Sequence, residues 1–280
     1  MTRSFITKAL LASTAILSTQ SHAAETAPPK DYNAMILESI REMPKGGQYK
    51  INSAASAGIT NAIRSNEGQL AVQVNASAPS YCSGATYLVF LKTLEKLQKD
   101  QKIEMSPATV KALGTKPQGS WLADGNGVWG RWNSNGPGTA GLFSELDLGY
   151  NFVDDSFTEA KPGDFLKIYW KDDVGKNEAG HSVVFTGVKR SGSKVTEVCF
   201  WSSNTGQGYG EKCVPRSKVA KAMFSRLTKP ENIQGAGQGD LRQVDPYLAS
   251  LLRKESSFAE AVEKTNSVVV SATGARSQSH

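Results

Sequence analysis

The sequence predicts an α+β fold in which one apolar helix packs against a small antiparallel sheet. Residues 82–94 carry apolar side chains at the spacing of a helix that is buried in a core. Residues 165–170, 181–188 and 194–201 are short apolar runs joined by tight, glycine-containing turns, a pattern typical of an antiparallel meander. A loop-rich inserted subdomain and a helical C-terminal extension complete the predicted architecture.

The composition is that of a globular protein. Of the 280 residues, 39% are hydrophobic, which is enough to form a substantial core. The formal net charge is +6, and it falls to +4 when Arg3 and Lys8 of a predicted leader are left out. This mild basicity is compatible with an anionic cell-wall or membrane surface, and it is too weak to indicate nucleic-acid binding.

Residues 1–23 have the pattern of a secretory signal peptide. Two basic residues precede the apolar stretch 9–17, which is too short to span a bilayer, and small residues at 21–23 suit a cleavage site. The segment holds no Asp or Glu, which argues against the alternative of a buried amphipathic helix. We expect an exported protein, periplasmic or secreted. No lipid anchor is expected because no cysteine follows the apolar stretch at the cleavage site, and no transmembrane segment is expected because no run of 18 apolar residues occurs.

Residues 24–68 are predicted to form an N-terminal extension. The segment 24–30 is polar and rich in proline, and helical apolar spacing over 32–43 predicts a first helix that ends before the Gly-Gly pair at 46 and 47. Residues 69–74 alternate between apolar and polar side chains, as a strand does. The predicted catalytic domain begins with this strand.

The segment 116–141 is rich in glycine and contains Trp121, Trp129 and Trp132. So many glycines exclude a long regular element, and one or two helical turns follow at 142–148. The three indole rings are predicted either to line a groove for sugars or peptides or to cover the core, and the sequence does not separate these alternatives.

Residues 228–280 are predicted as a C-terminal linker, helix and tail. The pattern of 246–262 favours one amphipathic helix between a linker rich in Gly and Gln and an end rich in Ser. We interpret this helix as a support of the catalytic centre.

Histidine usage limits the possible chemistry. The chain has three histidines, of which His22 lies in the predicted leader and His280 is the last residue. His181 is then the one imidazole expected in the folded domain, which excludes zinc sites that need two or three imidazoles. We predict no metal and no organic cofactor.

The three cysteines suggest one disulfide and one free thiol. Cys199 and Cys213 flank a strand-like run, a Gly-rich turn and a return, so a short disulfide loop is natural in an oxidising compartment. Cys82 is then left over, at the predicted start of a helix, where the helix dipole favours a thiolate. It is interpreted as a nucleophile, and the alternative is a buried, inert thiol.

A thiol at a helix start and a histidine at a strand start are parts of a cysteine acyl-transfer site. We predict Cys82 as nucleophile, His181 as general base and Asn204 as the residue that orients the imidazole, with Tyr81 near the oxyanion. Ser83 and Ser202 are further candidates for contacts with the oxyanion or the substrate. Other candidates for the orienting residue are Ser202, Ser203, Glu197 and Glu178.

Three short sequence motifs resemble those of the NlpC-type papain-like cell-wall cysteine peptidases and the related CHAP amidases. These are Tyr-Cys-Ser-Gly at 81–84, Lys-Pro-Gly-Asp-Phe at 161–165 and Gly-His-Ser-Val-Val at 180–184, in the order of the family. The resemblance covers about residues 69–205. It implies a papain-like catalytic domain over 69–227 with an insertion at about 100–160.

The resemblance also implies a function. The expected protein is a monomeric hydrolase that cleaves amide bonds in peptidoglycan or muropeptides, as a stem-peptide endopeptidase or an amidase, through a thioester intermediate. One alternative is a non-catalytic exported module that binds cell-wall glycan or peptide through the tryptophans. Another is a thiol-dependent transamidase, in which an amine attacks the thioester instead of water.

Overall fold

The computed structural model describes residues 31–115, 124–271 and 276–278. Within these ranges the α-helices are α1 Asn33–Glu42, α2 Ser53–Ala62, α3 Cys82–Lys99, α4 Pro107–Ala112, α5 Gly127–Trp132, α6 Thr139–Leu146, α7 Pro246–Ser250 and α8 Phe258–Lys264. The predicted signal peptide, Trp121 and His280 lie outside the described residues. None of the described helices is both long and apolar enough to cross a bilayer.

The strands belong to one large sheet and two small ones. In chain order they are β1 Gly46–Gly47, β2 Ile63–Asn66, β3 Gln69–Val72, β4 Gly149–Val153, β5 Phe165–Tyr169, β6 Val174–Gly175, β7 Gly180–Ser191, β8 Lys194–Asn204, β9 Gly208–Pro215, β10 Lys221–Leu227, β11 Glu255–Ser256, β12 Val268–Val270 and β13 Arg276–Gln278. The nine-stranded sheet has the order β1-β9-β8-β7-β5-β10-β4-β12-β13. The other two are the pairs β2-β3 and β6-β11. The chain is therefore a mixed α+β protein.

The predicted meander forms the centre of the large sheet. Strands β5, β7, β8 and β9 are joined antiparallel in succession. Cys199 and Cys213 are direct partners on β8 and β9 and form a disulfide, as predicted. The sheet is larger than predicted because β10 and β4 extend it beyond β5, and because both ends of the chain add strands: β1 pairs with β9, and β12 pairs in parallel with β4.

Helix α3 is the central helix of the core. Its side chains are buried on almost every face, and Leu88, Phe90 and Leu91 are fully buried. Phe90 packs edge-on against Phe165 of β5 at 6.1 Å. Helix α1 inserts Ile36 into the same cluster. The other face of the sheet has a separate apolar cluster that includes Phe185 and Phe224, as the alternation of side chains along a strand requires.

The C-terminal region corrects one sequence prediction. Residues 246–262 do not form one helix, because the chain leaves the helix after α7 and forms β11, which pairs with β6. The side chain of Ser257 then accepts a hydrogen bond from the backbone N–H of Glu260 and starts α8 as an N-cap. The apolar periodicity continued through this break, so it did not reveal the break.

Asp164 joins three parts of the chain. It is fully buried and forms a bidentate ion pair with Arg226 of β10, with both N–O distances at 2.7 Å. It also accepts a hydrogen bond from Asn33 of α1 at 2.8 Å and one from the backbone N–H of Lys161 at 2.7 Å. The Pro-Gly-Asp turn therefore ties the N-terminal helix and β10 to the start of β5.

We predict that Asp164→Asn destabilises the fold by about 3 kcal/mol, because it leaves the buried guanidinium of Arg226 without its main counter-charge. Chemical denaturation of the purified protein measures this loss. Asp172→Asn, at an exposed position, is the control and is expected to change stability by less than about 0.5 kcal/mol. Equal stability of the two variants would contradict the anchoring role of Asp164.

Candidate functional site

Cys82 is the first residue of α3. Tyr81 precedes it in extended conformation, and no side chain caps this end of the helix. The backbone N–H groups of the first turn therefore have no partner within the helix. A Cβ at Gly84 would collide with the side chain of Ile59, so the glycine lets α3 approach α2 closely. This contact fixes the end of the helix that carries the thiol.

His181 is the second residue of β7. It pairs with Ile168 of β5, so the register of the central strands sets its position. The ring lies between two aromatic side chains, with Phe200 edge-on at 5.5 Å and Trp170 at 6.0 Å. These contacts limit the rotation of the imidazole.

Asn204 is the last residue of β8 and contacts the imidazole directly. Its Oδ1 lies 3.1 Å from Nε2 of His181. Its Nδ2 donates to the carbonyls of Ser202 at 3.2 Å and Gly210 at 2.9 Å, which fixes the orientation of the amide. Oδ1 is therefore the atom that faces the ring, so Nε2 carries the proton and the neutral ring keeps its lone pair on Nδ1.

The other candidates for the orienting residue have different partners. Glu178 forms an ion pair with Lys167, and Glu197 forms one with Lys189. Ser203 donates to the carbonyl of Ser80 at 3.0 Å.

The thiol of Cys82 lies in an environment that favours its ionised form. Burial raises its pKa, but a hydrogen bond with His181, the charge of that ring, the backbone N–H of Ser182 and the charge of Lys167 lower it, and the net pKa is about 7. Cys82 is partly exposed as a residue and is the one free cysteine of the chain. A thiol and an imidazole are therefore in contact in this cleft of the protein.

Tyr49 is a residue of the site that the sequence did not indicate. Its hydroxyl forms a hydrogen bond with Cys82, and burial together with the negative charge of the thiolate raises the pKa of Tyr49. The hydroxyl thus stays protonated and can donate. Tyr49 follows the Gly-Gly break and reaches the site because its backbone bridges to Ser80, just before α3. No local sequence pattern signals such a long-range contact.

Tyr81 and Ser83 flank the nucleophile. Tyr81 is 5% exposed, and burial raises its pKa to about 12. Ser83 donates a 2.5 Å hydrogen bond to Oδ1 of Asn133. Both residues line the cleft next to Cys82.

Ser202, Trp129 and Trp132 have structural positions and do not line the cleft at Cys82. Ser202 is fully buried and donates to the carbonyl of Ser182 at 2.8 Å, so it joins β8 to β7. Trp132 is also fully buried, and its indole N–H donates to the carbonyl of Ser83 at 3.0 Å. Trp129 is partly buried against Tyr87 at 5.1 Å. Trp129 and Trp132 thus support α3.

A cleft of about 200 Å³ opens at the thiol. Its lining includes Cys82, His181, Tyr49, the ion pair Lys167–Glu178 and, at the rim, Ile51, whose side chain is 54% exposed. A second depression of about 280 Å³ is also lined by His181, together with Trp170, Phe200, Asn204, Thr205, Lys212, Val214 and Lys218. The imidazole therefore borders both depressions. Among the described residues no group of three metal-ligating side chains occurs.

Comparison of the chain with protein-family models, with curated proteins and with solved structures gave no match. The residues and the geometry of the site are therefore the basis for its proposed chemistry.

We predict that iodoacetamide alkylates Cys82 in the native protein with a midpoint near pH 7. At a pKa of about 7, roughly a tenth of the thiol is ionised at pH 6, against well under about 1% of an ordinary thiol. His181→Ala removes the main stabilising partner and raises the midpoint. After allowance for the lower nucleophilicity of a less basic thiolate, we expect alkylation at pH 6 to slow by about fivefold.

Mass spectrometry of the intact protein follows the reaction without interference, because the other two cysteines are in the disulfide. Asp172→Asn is the control and should react like the wild type. A midpoint near pH 8.5 in the wild type, unchanged in His181→Ala, would show that the two groups do not interact.

Proposed function

We propose that this protein is an exported cysteine hydrolase that cleaves amide bonds through a thioester. The observation that carries the proposal is the contact of the Cys82 thiol, at the start of α3, with an imidazole whose Nε2 is bound by Asn204. A helix packed on an antiparallel sheet, with the thiol on the helix and the histidine at a strand start, also supports a papain-like catalytic centre. All three groups come from one chain, so the reaction needs no second subunit.

The reaction begins with transfer of the thiol proton to Nδ1 of His181. The thiolate attacks the scissile carbonyl carbon and forms a C–S bond, and the carbonyl oxygen takes up the negative charge. This oxyanion is positioned to accept hydrogen bonds from the backbone N–H of Cys82 and the hydroxyl of Tyr49. The imidazolium then protonates the leaving nitrogen, the C–N bond breaks, and the amine departs from a thioester.

Hydrolysis of the thioester returns the enzyme to its starting state. His181 removes a proton from water, and the resulting hydroxide attacks the thioester carbonyl. The C–S bond breaks with the sulfur as the leaving group, the acid is released, and the imidazolium returns its proton to the sulfur. Attack by an amine in place of water would give transamidation on the same machinery.

Three observations support peptidoglycan as the substrate and an oxidising compartment as its place of action. The sequence motifs around Cys82, Asp164 and His181 resemble those of cell-wall peptidases. The net charge of +4 outside the predicted leader suits an anionic wall. The disulfide between Cys199 and Cys213 fits an exported protein.

The structure offers less support to the alternative of a non-catalytic wall-binding module. That alternative depended on an aromatic groove, but the indole of Trp132 is fully buried. An interacting thiol and imidazole are also unnecessary for simple binding.

We predict that Cys82→Ala abolishes release of products from purified muropeptides while the protein keeps its wild-type fold. The substitution removes the atom that forms the thioester. Mass analysis of the products identifies the bond that is cut, and Asp172→Asn is the matched control with full activity. Equal digestion by Cys82→Ala and wild type would disprove a cysteine mechanism.

An assay with an activated ester tests the cysteine mechanism independently of the natural substrate. Turnover of the ester by wild type but not by Cys82→Ala, with no attack on muropeptides, would retain the cysteine centre and overturn peptidoglycan as its substrate. Failure on both would overturn the proposed hydrolase.

We predict that Asn204→Ala lowers kcat/KM by about tenfold, because one hydrogen bond that orients the imidazole is lost. The main effect should fall on kcat, since Asn204 lies behind the ring and away from the thiol. Steady-state kinetics with the activated ester measure it. An unchanged kcat would show that the aromatic neighbours alone hold the ring.

A further inference from the structure

A buried ion pair lines the cleft, and its one effect described so far is that the charge of Lys167 lowers the pKa of the Cys82 thiol. Lys167 is in the middle of β5, and its ammonium is 2.5 Å from Oε1 of Glu178. The side chains are 8% and 3% exposed. Buried pairs of this kind seldom add stability, because the cost of removing both charges from water offsets their attraction. A role in binding explains their position better than a role in folding.

Glu178 is held rigidly. Its Oε2 accepts hydrogen bonds from the backbone N–H groups of Gly136, at 2.5 Å, and Gly175, at 3.2 Å. The carbonyl of Gly136 in turn accepts a 2.5 Å hydrogen bond from the hydroxyl of Tyr169, two residues after Lys167. The pair is therefore part of a hydrogen-bond network that connects β5 with the backbone at Gly136 and Gly175.

The ammonium of Lys167 has hydrogen-bonding capacity left for a ligand. It carries three N–H bonds, and Glu178 is its one polar partner within bonding distance among the described residues. Lys167, Glu178, Cys82 and His181 all line the same cleft. A Cβ on Gly180 would come within 2.7 Å of Oε1 of Glu178 and 3.1 Å of Nζ of Lys167, so the glycine before His181 makes room for the pair.

We propose that Lys167, positioned by Glu178, binds a carboxylate of the substrate next to the scissile carbonyl. This selects an acidic residue as the acyl donor, and it rests on the proposed function, since it names the substrate class of that site. A carboxylate is the ligand that fits, because its two oxygens can accept the remaining N–H bonds of the ammonium as charge-assisted hydrogen bonds. The charge of Lys167 also lowers the pKa of the Cys82 thiol, so Lys167 acts on the thiolate as well as on the ligand.

Matched muropeptides test the selection. The two substrates are identical except that the residue supplying the scissile carbonyl carries either a free carboxylate or its carboxamide. We expect wild type to prefer the carboxylate by about tenfold or more in kcat/KM, as for a hydrogen bond between charged groups. In Lys167→Met the preference should disappear, mainly through a higher KM for the carboxylate. Asp172→Asn should keep the wild-type preference, whereas a preference unchanged in Lys167→Met would overturn the proposal.

Alkylation of Cys82 tests the same site without requiring hydrolysis. Iodoacetate carries a carboxylate and iodoacetamide its carboxamide, so the ratio of their rates reports recognition of the anion next to the sulfur. Lys167→Met should lower this ratio, and Glu178→Gln should raise it, because the lysine charge is then no longer offset. If Lys167 acts only on the thiolate, both reagents slow by the same factor and the proposal is wrong.

The two assays distinguish the possible failures. A ratio that responds as predicted, in a protein that does not digest muropeptides, retains the carboxylate site and rejects the hydrolase function. If Lys167→Met does not fold, the double variant Lys167→Met/Glu178→Gln takes its place, because a glutamine can keep the hydrogen bonds from Gly136 and Gly175. Loss of the iodoacetate preference in the double variant supports the proposal, and its persistence overturns it.

Discussion

The contact between the first turn of α3 and the start of β7 determines the rest of the site. Cys82 and His181 are far apart in sequence, and their meeting depends on two independent packing events. Close approach of Gly84 to Ile59 fixes the end of the helix. The pairing of His181 with Ile168 fixes the strand, and a register shift of one residue would turn the imidazole to the opposite face of the sheet.

The ionisation of the thiol is a balance between burial and local partners. Burial favours the neutral thiol, whereas the imidazole and the N–H of Ser182 favour the thiolate, and the resulting pKa of about 7 leaves both forms populated at neutral pH. A nucleophile benefits from this balance, because a much lower pKa would reduce the reactivity of the sulfur. Tyr49 adds a donor that stays protonated because burial raises its pKa. The site therefore provides hydrogen bonds without adding another titrating group near neutral pH.

Sequence patterns predicted those helices, strands and turns whose formation depends on neighbouring residues in the chain. Apolar spacing located the start of α3 and the three central strands, and turn residues between two cysteines predicted the disulfide. Residues brought in by tertiary packing were not predictable in this way. Lys167 lies in an apolar run, and nothing in the sequence shows that a glutamate from the turn before β7 meets it. The inward position of Trp132 likewise depends on its packing against Tyr87 and Phe90 of α3, which no local pattern reveals.

The choice of an amide behind the imidazole has a chemical consequence. The two carbonyls that accept from Nδ2 of Asn204 leave Oδ1 as the only atom that can face the ring, so the proton of neutral His181 resides on Nε2. A carboxylate at this position would face the same two carbonyl oxygens and be repelled by them. It would also stabilise the imidazolium and make the ring slower to return its proton to a leaving group. An uncharged orienting residue thus keeps His181 able both to accept the thiol proton and to give it up, which the proposed acylation requires within a single turnover.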